Sequence, residues 1–127
     1  MRDLIKALLR HNHEVTGLPV PRDIPLVKWT SYTWLSRMTG ARCVDGMHIA
    51  AAYVDNGKCT IWLHHAWSEN DPIDRALLAH ELVHHMQNRA DKWDERIELD
   101  AYRSQFAYLR MHGIDPVQLG YSENYNG

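Results

Sequence analysis

This 127-residue sequence is short of several things, and each shortage excludes something. Cysteine occurs only at Cys43 and Cys59, with no CxxC pair. That is neither a disulfide framework nor a zinc knuckle. The two residues read as small buried side chains, either bridged once or left as thiols. Charge of one sign is also lacking: the net is −2 with neutral histidines. Nothing is basic enough to track a phosphate backbone, so nucleic acid is not an expected partner. No run of about 18 apolar residues is present, so no membrane span and no membrane partner is expected. The opening stretch MRDLIKALLRHNHE is charged and amphipathic and lacks the continuous apolar segment of a secretory signal. A cytoplasmic protein follows as the default. There is no internal repeat or low-complexity tract.

What remains is ordinary in bulk, with 45% hydrophobic and 24% charged residues. The length suits one small domain over residues 1–127 with a single core, and a monomer is expected. Histidine is the exception. There are nine, seven of them clustered at 11/13, 64/65 and 80/84/85, a first pointer to metal chemistry.

The patterning predicts an α+β domain. Leu4, Ile5, Leu8 and Leu9 fall at helical spacing, and Gly17, Pro19 and Pro21 stop that first helix. Residues 25–29 read as a short strand. Ser31 can cap a helix running to about Met38 and ended by Gly40. Residues 47–54 and 59–64 read as strands joined at Asp55-Asn56-Gly57, a strong hairpin signal. In the second, Cys59, Ile61 and Leu63 alternate with Thr60, Trp62 and His64, and it is taken as an edge strand. Together these form a small sheet of about three strands, mainly antiparallel. Asp71 and Pro72 start a helix reaching Asn88 or Arg89. Apolar residues cover most of its circumference, so it is central and buried. A last helix is expected from about Trp93 to His112, ended by Gly113, before an irregular tail. The five tryptophans, Trp29, Trp34, Trp62, Trp67 and Trp93, read mostly as core, with Trp62 or Trp67 a candidate cleft wall.

The chemistry sits in the central helix, at His80-Glu81-Leu82-Val83-His84, an H-E-x-x-H pattern. Histidines four apart lie about 40° apart round a helix turning roughly 100° per residue, so both imidazoles can reach one ion. Glu81 lies about 100° from His80, where a carboxylate can meet a water on the metal without being a ligand. A buried helix carrying a glutamate and several histidines needs partners for them, or a metal. A catalytic zinc needs a third protein ligand. The last helix offers Asp94, Glu95, Glu98 and Asp100. Glu98 shares a face, within about 60°, with Ala101, Tyr102, Gln105 and Leu109, a row able to pack on the histidine helix; Asp100 lies about 200° away. Glu98 leads, with Glu95 or Asp94 and then Asp100 as alternatives. A solvated glutamate on a helix face is the plain reading of Glu98.

HELVHHMQ, followed after a short loop by Glu98-Leu-Asp-Ala-Tyr102, resembles the gluzincin branch of the H-E-x-x-H zinc metallopeptidases (zincins) in a minimal single-domain form. The likeness covers about Asp74 to Leu109 and extends loosely to the preceding hairpin. It matches His80 and His84 to the motif histidines, Glu81 to the catalytic glutamate, Glu98 to the ligand of E-x-x-A and Ala101 to its alanine. The spacing from His84 to Glu98 is at the short end for that family. The longer metzincin pattern is absent. The resemblance implies a zincin-like domain, a Zn2+ cofactor, a peptide or protein substrate, and a hairpin strand lying along the cleft to pair with substrate backbone. It also implies hydrolysis of peptide bonds by Glu81-assisted attack of a zinc-bound water. Tyr102, His85 and His112 are candidate donors to the oxyanion, and His64 and His65 candidate substrate contacts. Gln87 reads as a supporting residue. Two other readings stand beside this one: a catalytically silent zinc-binding interaction module, and a zinc hydrolase of a non-peptide amide. In the silent module a fourth protein ligand would close the site, with Cys59, His64, His65 and His85 the nearest residues.

Overall fold

The computed structural model describes residues 1–39, 50–55 and 57–121. Among them the chain runs α1 (Arg2–Thr16), β1 (Leu26–Thr30), α2 (Tyr32–Thr39), β2 (Ala51–Asp55), β3 (Cys59–His64), α3 (Pro72–Arg89) and α4 (Ile97–Met111), then a 3-10 turn at Pro116–Leu119. The fold is α+β, with an amino-terminal helix, a three-stranded sheet and two long helices packed on each other. Cys43 and residues 47–49 lie outside the described residues, so β2 is seen from Ala51.

α1 forms because its apolar residues recur on one side; Ile5, Leu8 and Leu9 are buried. It ends where Gly17 turns left-handed at φ 77° and its N–H closes on the His13 carbonyl. α2 begins where the Ser31 hydroxyl accepts the Trp34 N–H at 3.2 Å.

The strand order is β1-β3-β2, with β1 parallel and β2 antiparallel to β3. The hairpin pairing, Asp55 opposite Cys59, is the expected one, and Gly57 supplies a φ of 101° beside it. Asn56 itself is outside the described residues. The sheet is mixed, and β3 is its central strand rather than an edge. The alternation of Cys59, Ile61 and Leu63 with Thr60, Trp62 and His64 suggested one wet face. In fact Thr60 and His64 are buried too, so both faces are covered, as a central strand requires. β2 is the edge.

α3 is the axis of the molecule. Asp71 caps it by accepting the Ile73 N–H at 2.9 Å, and Pro72 occupies the first turn. Ala76, Leu78, Ala79, Leu82, Val83 and Met86 are fully buried, because α4, α1 and the sheet each cover a side. α4 starts later than the pattern suggested, at Ile97 rather than Trp93. Asp94 accepts the Arg96 N–H at 2.8 Å, a local turn that competes with helix. Asp91, at φ 53°, bends the chain just before it.

The tryptophans do not fill the core. Only Trp67 is buried, its indole donating to the Asp74 carbonyl at 2.6 Å, while Trp29, Trp34 and Trp93 are about half exposed. Trp29 sits on edge strand β1 and Trp34 on the short α2, where a large ring has a wall on one side only. Among the described residues no helix is long and apolar enough to cross a membrane.

Candidate metal centre

α3 is uncovered along one stripe, and there His80, Glu81 and His84 enter a cleft of about 340 Å³. One wall is edge strand β2, through Ala51, Ala52 and Tyr53; the other is Trp93 with Ile97, Glu98 and Tyr102. One potential ligand atom from each of His80, Glu81 and His84 lies within 4.8 Å of the others. The i, i+4 spacing does this, bringing the imidazoles to a centroid separation of 5.0 Å.

Glu98 completes the group from the first turn of α4. Its Oε1 is 2.6 Å from His84 Nε2 and its Oε2 is 3.7 Å from His80 Nε2. Hydrogen bonds from the two imidazoles hold its carboxyl far below the usual carboxylate range, against the opposing effect of burial. At His84, burial pulls the pKa down. Glu98, Glu81 and Gln87 together outweigh it, and the net shift is upward. Four groups therefore converge: two imidazole nitrogens, a carboxylate that touches both, and a second carboxylate beside them.

The far side of each ring is fixed by a glutamine. Gln87 Nε2 donates to the Ile97 carbonyl, which can only accept, so its Oε1 must be the atom 2.9 Å from His84 Nδ1. His84 thus carries its proton on Nδ1 when neutral and turns the Nε2 lone pair to the cleft. His80 Nδ1 meets Gln105 Oε1 at 2.8 Å, and Gln105 is tied in turn to the Tyr121 hydroxyl. Such partners orient metal-binding histidines.

The residues present fit a zinc ion on one further ground. Glu81 Oε2 is the only buried side-chain nitrogen or oxygen among the described residues with no hydrogen-bond partner. An orphan carboxylate oxygen in a closed interior is costly. Glu81 also lines a cleft that can hold a metal and water, where its carboxylate has a use.

Other residues singled out by the sequence lie elsewhere. His64 and His65 do not line the cleft. His64 is buried, engaged by Tyr32 Oη at 3.1 Å and Asp74 Oδ1 at 3.3 Å, because β3 is central and its end is covered. His65 is exposed beside the Tyr32 ring. His85 is fully buried on another face of α3, between Tyr53 Oη and the Asp23 carbonyl. His112 is exposed at the end of α4, against Tyr108. Neither Trp62 nor Trp67 reaches the cleft, and Cys59 is a buried free thiol near Arg89 and Asn88. Asp94 is consumed by its turn, Glu95 precedes the helix, and Asp100 faces Arg103 at 3.6 Å. Tyr102 does line the cleft, its ring 4.6 Å from that of His80. Sequence reasoning missed Trp93, 6.0 Å from the His84 ring, and the role of Gln105. Gln105 was findable, since it shares the helical face of Glu98. Trp93 lies in an irregular loop, where no periodicity points.

Over residues 1–119 the chain matches the family described as a domain of unknown function (DUF6647), and it belongs to that family. No curated protein and no solved structure matches it.

Proposed function

We propose that this chain is a zinc-dependent metallopeptidase of gluzincin-like type, with His80, His84 and Glu98 as metal ligands and Glu81 as general base. The observation that carries the proposal is the unpartnered Glu81 Oε2 beside two oriented imidazoles. Two nitrogens and one carboxylate oxygen form the donor set of many catalytic zinc sites, whereas structural sites are closed by four protein ligands. Of the residues that could have closed it, Cys59, His64, His65 and His85 are all engaged or placed elsewhere.

Bound zinc would acidify a water and polarise the scissile carbonyl. Glu81 takes a proton from the attacking water as the new C–O bond forms. It then delivers that proton to the amine nitrogen as the C–N bond breaks. Of the candidate donors to the developing oxyanion, Tyr102 is the one that lines the cleft. Edge strand β2 offers backbone groups to an extended substrate. A cytoplasmic setting belongs to the same proposal.

The test is metal analysis of the purified protein together with cleavage of a proteome-derived peptide library, run beside Glu81→Gln. About one zinc per chain is expected in both proteins, with cleavage by the wild type alone. Loss of a general base costs on the order of 10²–10⁴ in rate, or roughly 3–5 kcal/mol. Equal cleavage by the two proteins, or no zinc in either, overturns the proposal.

A further inference from the structure

A second cavity, of about 300 Å³, adjoins the cleft and shares two walls with it, Tyr53 and Trp93; Asp55 and Asn88 complete it. The pleat of β2 explains its position. Ala51, Tyr53 and Asp55 alternate onto one face of the strand, which carries the wall from the cleft towards the hairpin end. At about 3.4 Å per residue, Asp55 is roughly 7 Å beyond Tyr53, near the reach of one long side chain.

Its lining is unusual in being held so firmly. The Asn88 amide donates to Tyr53 Oη at 3.0 Å and to Asp55 Oδ2 at 2.9 Å, with Cys59 Sγ a more distant acceptor at 3.7 Å. The ring of Tyr53 is pinned from behind. His85 Nε2 lies 3.1 Å from the Asp23 carbonyl and must donate to it, so Nδ1 is left to accept from the Tyr53 hydroxyl at 3.0 Å. Opposite, Trp93 keeps 58% of its surface exposed. The hydrogen bond from Asn88 lowers the pKa of Asp55 and keeps it ionised. Yet among the described residues no lysine or arginine forms an ion pair with Asp55. Arg89, whose charge also lowers the pKa of Asp55 from a distance, is hydrogen-bonded through Nε and Nη2 to Asp23.

We infer that this cavity is a side-chain subsite for a basic residue of the substrate. A lysine or arginine would lay its apolar stem between Tyr53 and Trp93 and bring its cationic head to Asp55. Long basic side chains have this two-part character, and a cation gains from aromatic faces as well as from a carboxylate. An acidic side chain would meet Asp55 as a like charge, and an aliphatic one would bring the carboxylate no counter-charge. The inference rests on the peptidase reading for its consequence in catalysis, but the subsite makes a prediction about binding on its own.

The experiment uses one peptide series, drawn from a sequence the protein binds or cleaves, in which the residue flanking the scissile bond is lysine, arginine, norleucine or glutamate. Binding is measured on the zinc-loaded Glu81→Gln protein, and cleavage on the wild type. Both are repeated in the Asp55→Asn background, which keeps an oxygen to accept from Asn88, and in Asp55→Lys. Basic peptides should bind, and be cleaved with a kcat/KM, about tenfold better than the norleucine peptide. That ratio should fall to about one in Asp55→Asn, and Asp55→Lys should turn the preference towards glutamate. A basic preference in binding without any cleavage by the wild type removes the peptidase reading and leaves the subsite standing. Cleavage without a basic preference, or with one that persists in Asp55→Asn, removes the subsite and leaves the peptidase. A protein that neither binds nor cleaves any library member overturns both.

Discussion

His84 and His85 are neighbours in the chain and opposites in the fold. His85 is fully buried, and both ring nitrogens are engaged by groups far away in sequence, Tyr53 Oη and the Asp23 carbonyl. Burial depresses its pKa, so it is held neutral as a structural post between α3, β2 and the 18–25 connector. His84 is nearly as buried but is anchored on one nitrogen only by a neutral partner, Gln87. Its other nitrogen meets Glu98 at the cleft, and the net shift of its pKa is upward. His64 belongs with His85, since Tyr32 and Asp74 take its two nitrogens. A histidine with both nitrogens spent inside the fold is architecture. One with Nδ1 held and Nε2 turned towards a shared opening is available for chemistry.

The contrast can be broken most sharply by exchanging the two roles. His84→Ala is expected to abolish stoichiometric zinc and to lower the Tm of the purified protein, because the metal is bound by the folded state alone. His85→Ala is expected to keep its zinc and to lose about 2–4 kcal/mol of stability, from a cavity and two stranded partners. Elemental analysis with denaturant unfolding separates the two outcomes. Zinc retained in His84→Ala, or lost in a folded His85→Ala, reverses the assignment.

A second pair sharpens the helical register of α4. Glu98→Ala should weaken zinc far more than Asp100→Ala, since Glu98 touches both imidazoles whereas Asp100 faces Arg103. Competition with a zinc chelator measures this, and equal effects would mean that Glu98 is not a ligand. Smaller still are the glutamines. Gln87→Leu and Gln105→Leu should each reduce zinc affinity about 10–100-fold while leaving the ion bound at saturating metal. Unchanged affinity in both would make them packing residues only. Asp100→Ala by itself should be nearly silent, within about 0.5 kcal/mol in unfolding.

The motif helix was legible in the sequence because several signals agreed there. Asp71 and Pro72 marked its start, its apolar circumference marked it as central, and the i, i+4 histidines marked its open stripe. Glu98 could be brought to the same place by counting along α4, and counting survived even though the helix starts four residues later than expected, because Glu98 and Tyr102 both lie inside it. Strand roles were not legible in the same way. The alternation of Cys59 to His64 is compatible with an edge or a centre, and only the arrival of β1 on its far side decides. For that reason His64 looked like a cleft residue and is in fact enclosed. Trp93 and the Asp55 cavity depend on the path of a loop and on Asn88 bridging two strand residues, and neither leaves a period in the sequence.

Zinc K-edge X-ray absorption of the zinc-loaded protein tests the centre most directly. The account predicts a first shell of light atoms only, with the outer-shell scattering of two imidazoles. A sulfur scatterer, or a third or fourth imidazole, would contradict it and mark a site built from other residues.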